Sequence, residues 1–131
     1  MVASVLATVV LAAGCGGGSP EARSERSGSV SARIADPAQV KAALASGAVA
    51  LDVRTPAEFG TGHLPGAENI DVQSPDFDAR VATLDREKTY VVYCRSGSRA
   101  TTAVQRMAGL GFTKLINGGG FAQLAPVAGT S

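Results

Sequence analysis

Tryptophan is absent from this 131-residue chain, histidine occurs once and cysteine twice. Each scarcity excludes something. With aromatic residues at 5%, the core has to be built from Ala, Val, Leu and Ile. A single histidine (His63) and the lack of any close cysteine pair exclude a zinc site of the usual kind, which needs several such ligands. The two cysteines, Cys15 and Cys94, make a poor disulfide framework, because one bridge from a tail would staple little. Neither sign of charge is in excess: the net charge of +1 gives no reason to expect nucleic acid or an anionic membrane face as partner. No apolar run reaches the about 20 residues of a transmembrane helix. What remains is one small domain plus a tail, and 45% hydrophobic residues rule out wholesale disorder.

The two cysteines sit in different settings and need separate explanations. Val2 to Ala13 (VASVLATVVLAA) is an apolar stretch of the length expected for the core of a signal peptide. Glycines follow it and no amphipathic period runs through it, which argues against a core helix. Leu11-Ala12-Ala13-Gly14-Cys15 resembles the lipobox of bacterial lipoproteins, in which small residues precede a cysteine that is lipidated on its thiol. That resemblance implies export and a lipid anchor on Cys15, with the domain on the extracytoplasmic side of the cell membrane. Gly16 to Ser31 (GGGSPEARSERSGSVS) has the Gly, Ser, Pro and mixed charge of a flexible tether.

From about Arg33 the punctuation alternates. Asp36-Pro37 reads as an N-cap with Pro at the first helical position, and Gly47 as the stop, with Val40, Ala43 and Leu44 on one face. Ala48 to Leu51 is a short apolar run of the kind that fills a strand buried on both faces. Thr55-Pro56-Ala57-Glu58 is a capping box. A brief strand is predicted at Asn69-Ile70, and a helix opening at Ser74-Pro75-Asp76 carries Phe77, Val81 and Leu84. Thr89 to Tyr93 is the best strand. The next helix turns Ala103, Val104, Met107 and Ala108 inward, and Lys114 to Ile116 is a last short strand before an Asn117-Gly118-Gly119-Gly120 loop. Alternating strands and helices predict an α/β fold, a small central parallel sheet with helices on both faces. Ligand sites in such sheets gather at the carboxyl ends of strands, and Cys94 directly follows the best one.

The segment Cys94-Arg95-Ser96-Gly97-Ser98-Arg99 joins that strand to the next helix. A helix N-terminus and neighbouring cations both favour a thiolate, and small residues let successive amides turn inward as an anion-binding nest. An inert buried cysteine would be followed by apolar neighbours, and this one is followed by Arg, Ser and Gly.

The loop resembles the active-site loop of single-domain rhodaneses. Asp52-Val53-Arg54 with Glu58-Phe59, Gly62 to Ala67 with Asn69-Ile70, and Gly118-Gly119-Gly120-Phe121 are similar to three further segments of that family, in the same order. The resemblance covers about Ile34 to Leu124. It implies a rhodanese-like domain at 33–126, between a signal peptide at 1–14 with a tether at 15–32 and a tail at 127–131. It also implies a sulfurtransferase, in which Cys94 takes a sulfane sulfur from a donor such as thiosulfate and passes the persulfide sulfur to cyanide or a thiol. Amides of Arg95 to Arg99 (with Ser96, Gly97 and Ser98 between) would cradle the sulfur, and Arg95 and Arg99 would attract an anionic donor. No metal or organic cofactor is implied. The family often carries a Trp a few residues after its glycine motif, where this chain has Gln123-Leu124-Ala125-Pro126.

Two alternatives stand beside this reading. A lipid-tethered persulfide carrier without turnover would use the same loop. A cysteine phosphatase or arsenate-reductase-like enzyme needs arginine six positions after the cysteine. Here the second arginine comes five after it and position 100 is Ala, so the cradle is one residue short for phosphate. Other residues read more plainly: His63 as a hydrogen-bonding group in a Gly/Pro loop, Asp52 and Arg54 as an ion pair bracing the site, Glu58 as a cap. Phe59, Tyr90, Tyr93 and Phe112 read as core or pocket wall.

Overall fold

A computed structural model describes residues 30–131. The expected signal peptide, the lipobox with Cys15 and nearly all of the expected tether lie outside the described residues. Five strands, β1 (Val30–Ile34), β2 (Val49–Asp52), β3 (Glu68–Asn69), β4 (Tyr90–Cys94) and β5 (Leu115–Gly120), form one sheet in the order β1-β5-β4-β2-β3. Every neighbouring pair is parallel. The helices are α1 (Pro37–Ala45), α2 (Pro56–Gly60), α3 (Phe77–Val81), α4 (Ser98–Gly109) and α5 (Phe121–Ala128). None among the described residues is long and apolar enough to cross a membrane.

β4 lies in the middle and all five of its residues are buried. Its period of two divides the core. Tyr90, Val92 and Cys94 join Phe77, Val81, Ala103, Val104 and Met107 under α3 and α4. Val91 and Tyr93 join Val40, Leu64 and Leu124 on the opposite face, where α1 and α5 pack. The sulfur therefore belongs to the α4 side by strand alternation alone. Both capping signals read from the sequence form as expected: Asp36 caps α1 together with Gln39, and Thr55 caps α2 together with Glu58.

Three features depart from the local signals. β1 begins within the stretch whose composition suggested a tether; it is an edge strand with Val30 and Ile34 exposed, held to β5 by backbone pairing rather than by an apolar run. The predicted Asn117–Gly120 loop is instead the last four residues of β5. Its register shifts between the Val92–Asn117 and Tyr93–Gly119 pairs, so Gly118 is an extra residue, and Gly119 takes φ +77°, which a side chain would resist. Buried Asn117 holds the bulge: Nδ2 donates to the Ala32 carbonyl (2.7 Å) and to Thr101 Oγ1 (2.8 Å), and Oδ1 accepts from Gly119 N–H (3.0 Å). Lastly, α5 forms without a Trp. Leu124 is its fully buried residue, and Phe121 at its start stacks with Tyr93, ring centroids 6.0 Å apart.

Met107 is fully buried in the α4-side cluster. Met107→Ala is expected to lower unfolding free energy by about 2–5 kcal/mol, measured as a drop in urea midpoint at unchanged slope.

Candidate active site

The strands that matter end together. Asp52 closes β2 beside Tyr93 in β4, and Cys94 pairs with Gly120 of β5. Cys94 is fully buried and is the free cysteine among the described residues. After it the chain turns at Gly97, φ +111°, and enters α4. The positive φ calls for glycine there, and a Cβ would only press on the end of the exposed Ile34 side chain, 2.9 Å from Cδ1.

α4 has no side-chain cap. Its unpaired amides are met by sulfur instead: Gly97 N–H donates to Cys94 Sγ at 2.9 Å and Ala100 N–H at 3.3 Å. Both N–H dipoles and the helix N-terminus present positive charge to one atom. The turn is fastened from below, since Thr101 Oγ1 donates to the Gly97 carbonyl at 3.1 Å and itself accepts from Asn117. Ala100 belongs to this cradle although the loop motif ends at Arg99. Being the third residue of the helix is its only qualification, and side-chain chemistry gives no hint of it.

The other predicted residues fall into distinct places. Ser96, Ser98 and Arg95 are exposed, and Gly97 is buried. Asp52 and Arg54 form a buried bidentate pair, with Nη2 2.6 Å from Oδ2 and Nε 2.9 Å from Oδ1. Arg54 Nη2 also donates to the Gly62 carbonyl at 2.7 Å, and its guanidinium lies 4.5 Å from the centre of the Phe121 ring. This pair ties β2 to the Gly62 loop and to α5. Tyr93 adds another tie: its hydroxyl accepts from Leu64 N–H at 3.0 Å, while burial, followed by the nearby Asp52 charge, pushes its phenol above the ordinary range. His63 stacks on Phe59 with ring centroids 3.7 Å apart, and its Nδ1 lies 3.0 Å from the Phe59 carbonyl oxygen.

Arg99 does not stand open to an incoming ligand. Its Nη1 and Nη2 donate to the two carboxylate oxygens of Glu58 at 2.8 and 2.9 Å. Glu58 thus has two duties: it completes the α2 cap through Thr55 and closes on Arg99, 41 positions away. Only the first of these was visible in local spacing. A cleft of about 480 Å³ opens beside the loop, lined by Arg54, Ala57, Glu58, Thr61, Arg95, Phe121 and Ala122. Among the described residues no three His, Cys, Asp or Glu side chains converge as a metal site would.

Comparison with known proteins gives a consistent picture. A family model described as a rhodanese-like domain matches residues 36–124, well over half of the chain. The rhodanese-like domain of an Anabaena protein, solved in solution, superposes with TM-score 0.65 at 25% identity, covering 75% of this chain and 77% of that one. A rhodanese-related protein from Thermoplasma volcanium gives 0.64 at 25% identity, covering 76% and 97%. An E. coli rhodanese solved with anions gives 0.50 at 29% identity, covering 60% and 93%. No curated protein matches the sequence.

The Arg99 hydrogen bonds, the largest influence, hold Glu58 down from its ordinary 4.5 to about 2. A carboxylate so depressed stabilises the fold fully above its ordinary value and loses that contribution as pH falls through the lowered one. Stability to urea is therefore expected to fall between pH 4.5 and about 2 more steeply in the native protein than in Glu58→Gln. Parallel slopes would show that the pair contributes nothing.

Proposed function

The chain belongs to the family of rhodanese-like domains, and on that premise we propose that it is a sulfurtransferase whose Cys94 carries a sulfane sulfur as a persulfide. The observation that supports this is the pair of N–H donors on Cys94 Sγ at the N-terminus of α4. Two N–H donors converging on one sulfur are hydrogen bonds that a negatively charged sulfur accepts most strongly, and an anionic sulfur is both the attacking nucleophile and the product's terminal atom. In the first half-reaction the Cys94 thiolate attacks the outer sulfur of thiosulfate. The new S–S bond forms as the old one breaks, and its electron pair leaves with sulfite: Cys–S⁻ and S₂O₃²⁻ become Cys–S–S⁻ and SO₃²⁻. In the second, cyanide or a thiolate takes the outer sulfur and returns the Cys94 thiolate; with cyanide the product is thiocyanate. Charge and atoms balance without a metal or an external oxidant.

The side chains divide this work. Cys94 is the nucleophile, and the backbone of the Arg95-Ser96-Gly97-Ser98-Arg99 loop with Ala100 N–H cradles the sulfur. Arg95 draws the anionic donor towards the cleft, while Asp52 and Arg54 hold the surrounding loops. A phosphoryl-transfer role is disfavoured on two counts: the loop is one residue short for a phosphate cradle, and its final arginine is already engaged by Glu58.

The soluble domain with thiosulfate is expected to gain one sulfur atom on Cys94 by mass spectrometry and to release thiocyanate when cyanide is added; Cys94→Ser is expected to do neither. Loading without turnover would indicate a persulfide carrier, and equal activity in the variant would remove the assignment.

The proposal extends to location. The apolar stretch before Leu11-Ala12-Ala13-Gly14-Cys15 supports export and a lipid on Cys15, with the domain held outside the cell membrane. Radiolabelled fatty acid is expected to attach to the full chain and not to Cys15→Ala; label retained in that variant would remove the anchor.

A further inference from the structure

Two guanidinium groups, Arg54 and Arg95, line the cleft, and a third, Arg99, pairs with the Glu58 carboxylate on its wall. Arg54 is closed by Asp52, and Arg99 by Glu58 through both of its outer nitrogens. After Glu58, Cys94 and then Asp71 also act electrostatically on Arg99. Arg95 is exposed and forms no ion pair among the described residues. The cleft therefore offers an incoming anion one uncompensated cation. Beside the charges and Thr61 its lining is apolar, made by Ala57, Phe121 and Ala122, and nothing in inorganic thiosulfate would use that surface.

We infer that Glu58 is a specificity-determining residue, which by cancelling Arg99 tunes the cleft to singly charged organic sulfane donors of the thiosulfonate type over doubly charged thiosulfate. This rests on the sulfurtransferase reading. The chemistry is the same transfer with a different leaving group: the Cys94 thiolate and R–SO₂–S⁻ give Cys–S–S⁻ and the sulfinate R–SO₂⁻. The sulfinate departs with the electron pair of the broken S–S bond. A donor with one charge is matched by Arg95 alone, and its organic group covers the Ala57, Phe121 and Ala122 surface. A dianion lacks a second free cation and meets the Glu58 carboxylate on the same wall.

The carboxylate is suited to such tuning because its two oxygens are divided. Oε2 serves the Thr55 amide and hydroxyl as well as Arg99, whereas Oε1 accepts from Arg99. Glu58→Gln keeps an acceptor for the cap and removes the charge. Arg99→Gln does the opposite, leaving Glu58 uncompensated. The double variant has neither charge and returns the cleft to its original net balance.

The test compares kcat/KM for methanethiosulfonate and for thiosulfate, with cyanide as acceptor, in all four proteins. The native protein is expected to prefer methanethiosulfonate. Removing one unit charge at the cleft wall should shift the ratio of the two donors by about 3- to 10-fold, the Coulomb effect of one extra donor charge at several ångströms in a largely aqueous setting. The shift is towards thiosulfate in Glu58→Gln and away from it in Arg99→Gln, fading as salt is raised. The double variant should regain the native ratio, which a merely structural ion pair would not produce. Sulfur loading from both donors with an unchanged ratio in the single variants would overturn this inference alone. Absence of loading from either donor in the native protein would remove the sulfurtransferase reading and this inference with it.

Discussion

The organisation of the site depends on one substitution of roles: a sulfur atom does the work of a helix cap. The first amides of any helix need acceptors, and most helices obtain them from a Ser, Thr, Asp or Asn side chain. In α4 the residue at the cap position is Gly97, which has no side chain to offer, and the acceptor is Cys94 Sγ, three residues earlier. Folding of the helix and stabilisation of charge on the sulfur are therefore the same interaction. The more negative the sulfur, the better the helix is capped.

That arrangement requires the cysteine to be held still, and the sheet supplies the rigidity. Cys94 is the last residue of a strand with neighbours on both sides and helices on both faces. From there the ties radiate outward. Asn117 and Thr101 hold the Gly97 turn, Tyr93 holds Leu64, and Arg54 joins Asp52, the Gly62 carbonyl and the Phe121 ring. Each tie gives a buried or half-buried polar group a hydrogen-bond partner, the condition under which such groups add rigidity rather than cost. The described residues contain no buried side-chain nitrogen or oxygen without a partner.

Local signals in the chain located most of this. The caps at Asp36 and Thr55 came from spacing alone, because a cap bonds only residues two or three positions away. The strand ending at Tyr93 and the α4 face of Ala103, Val104 and Met107 were legible because periodicity reports burial. Where the structure departs, long-range partners decide. β1 has no apolar run and exists because β5 offers it backbone groups. The Gly118–Gly120 segment carries turn-like residues yet runs as strand, since Val91, Ile34 and the Arg95 carbonyl approach too closely for any side chain. Arg99 looked like an anion-binding group by its place in the loop, and its pairing with Glu58 spans two segments that no local pattern connects.

The amino-acid sequence by itself determined the alternation of elements, the position of Cys94 at a strand's carboxyl end, and the loop that turns amides towards it. These follow from interactions among residues a few positions apart. Tertiary structure decided whether Arg99 remains available. Arg54 and Asp52 lie two positions apart and their pairing was legible in the chain, whereas Arg99 meets Glu58, 41 positions away, only once α2 and α4 pack together. Charge type is a property of a residue, whereas charge compensation is a property of distance, and distance between remote segments exists only once the chain has folded.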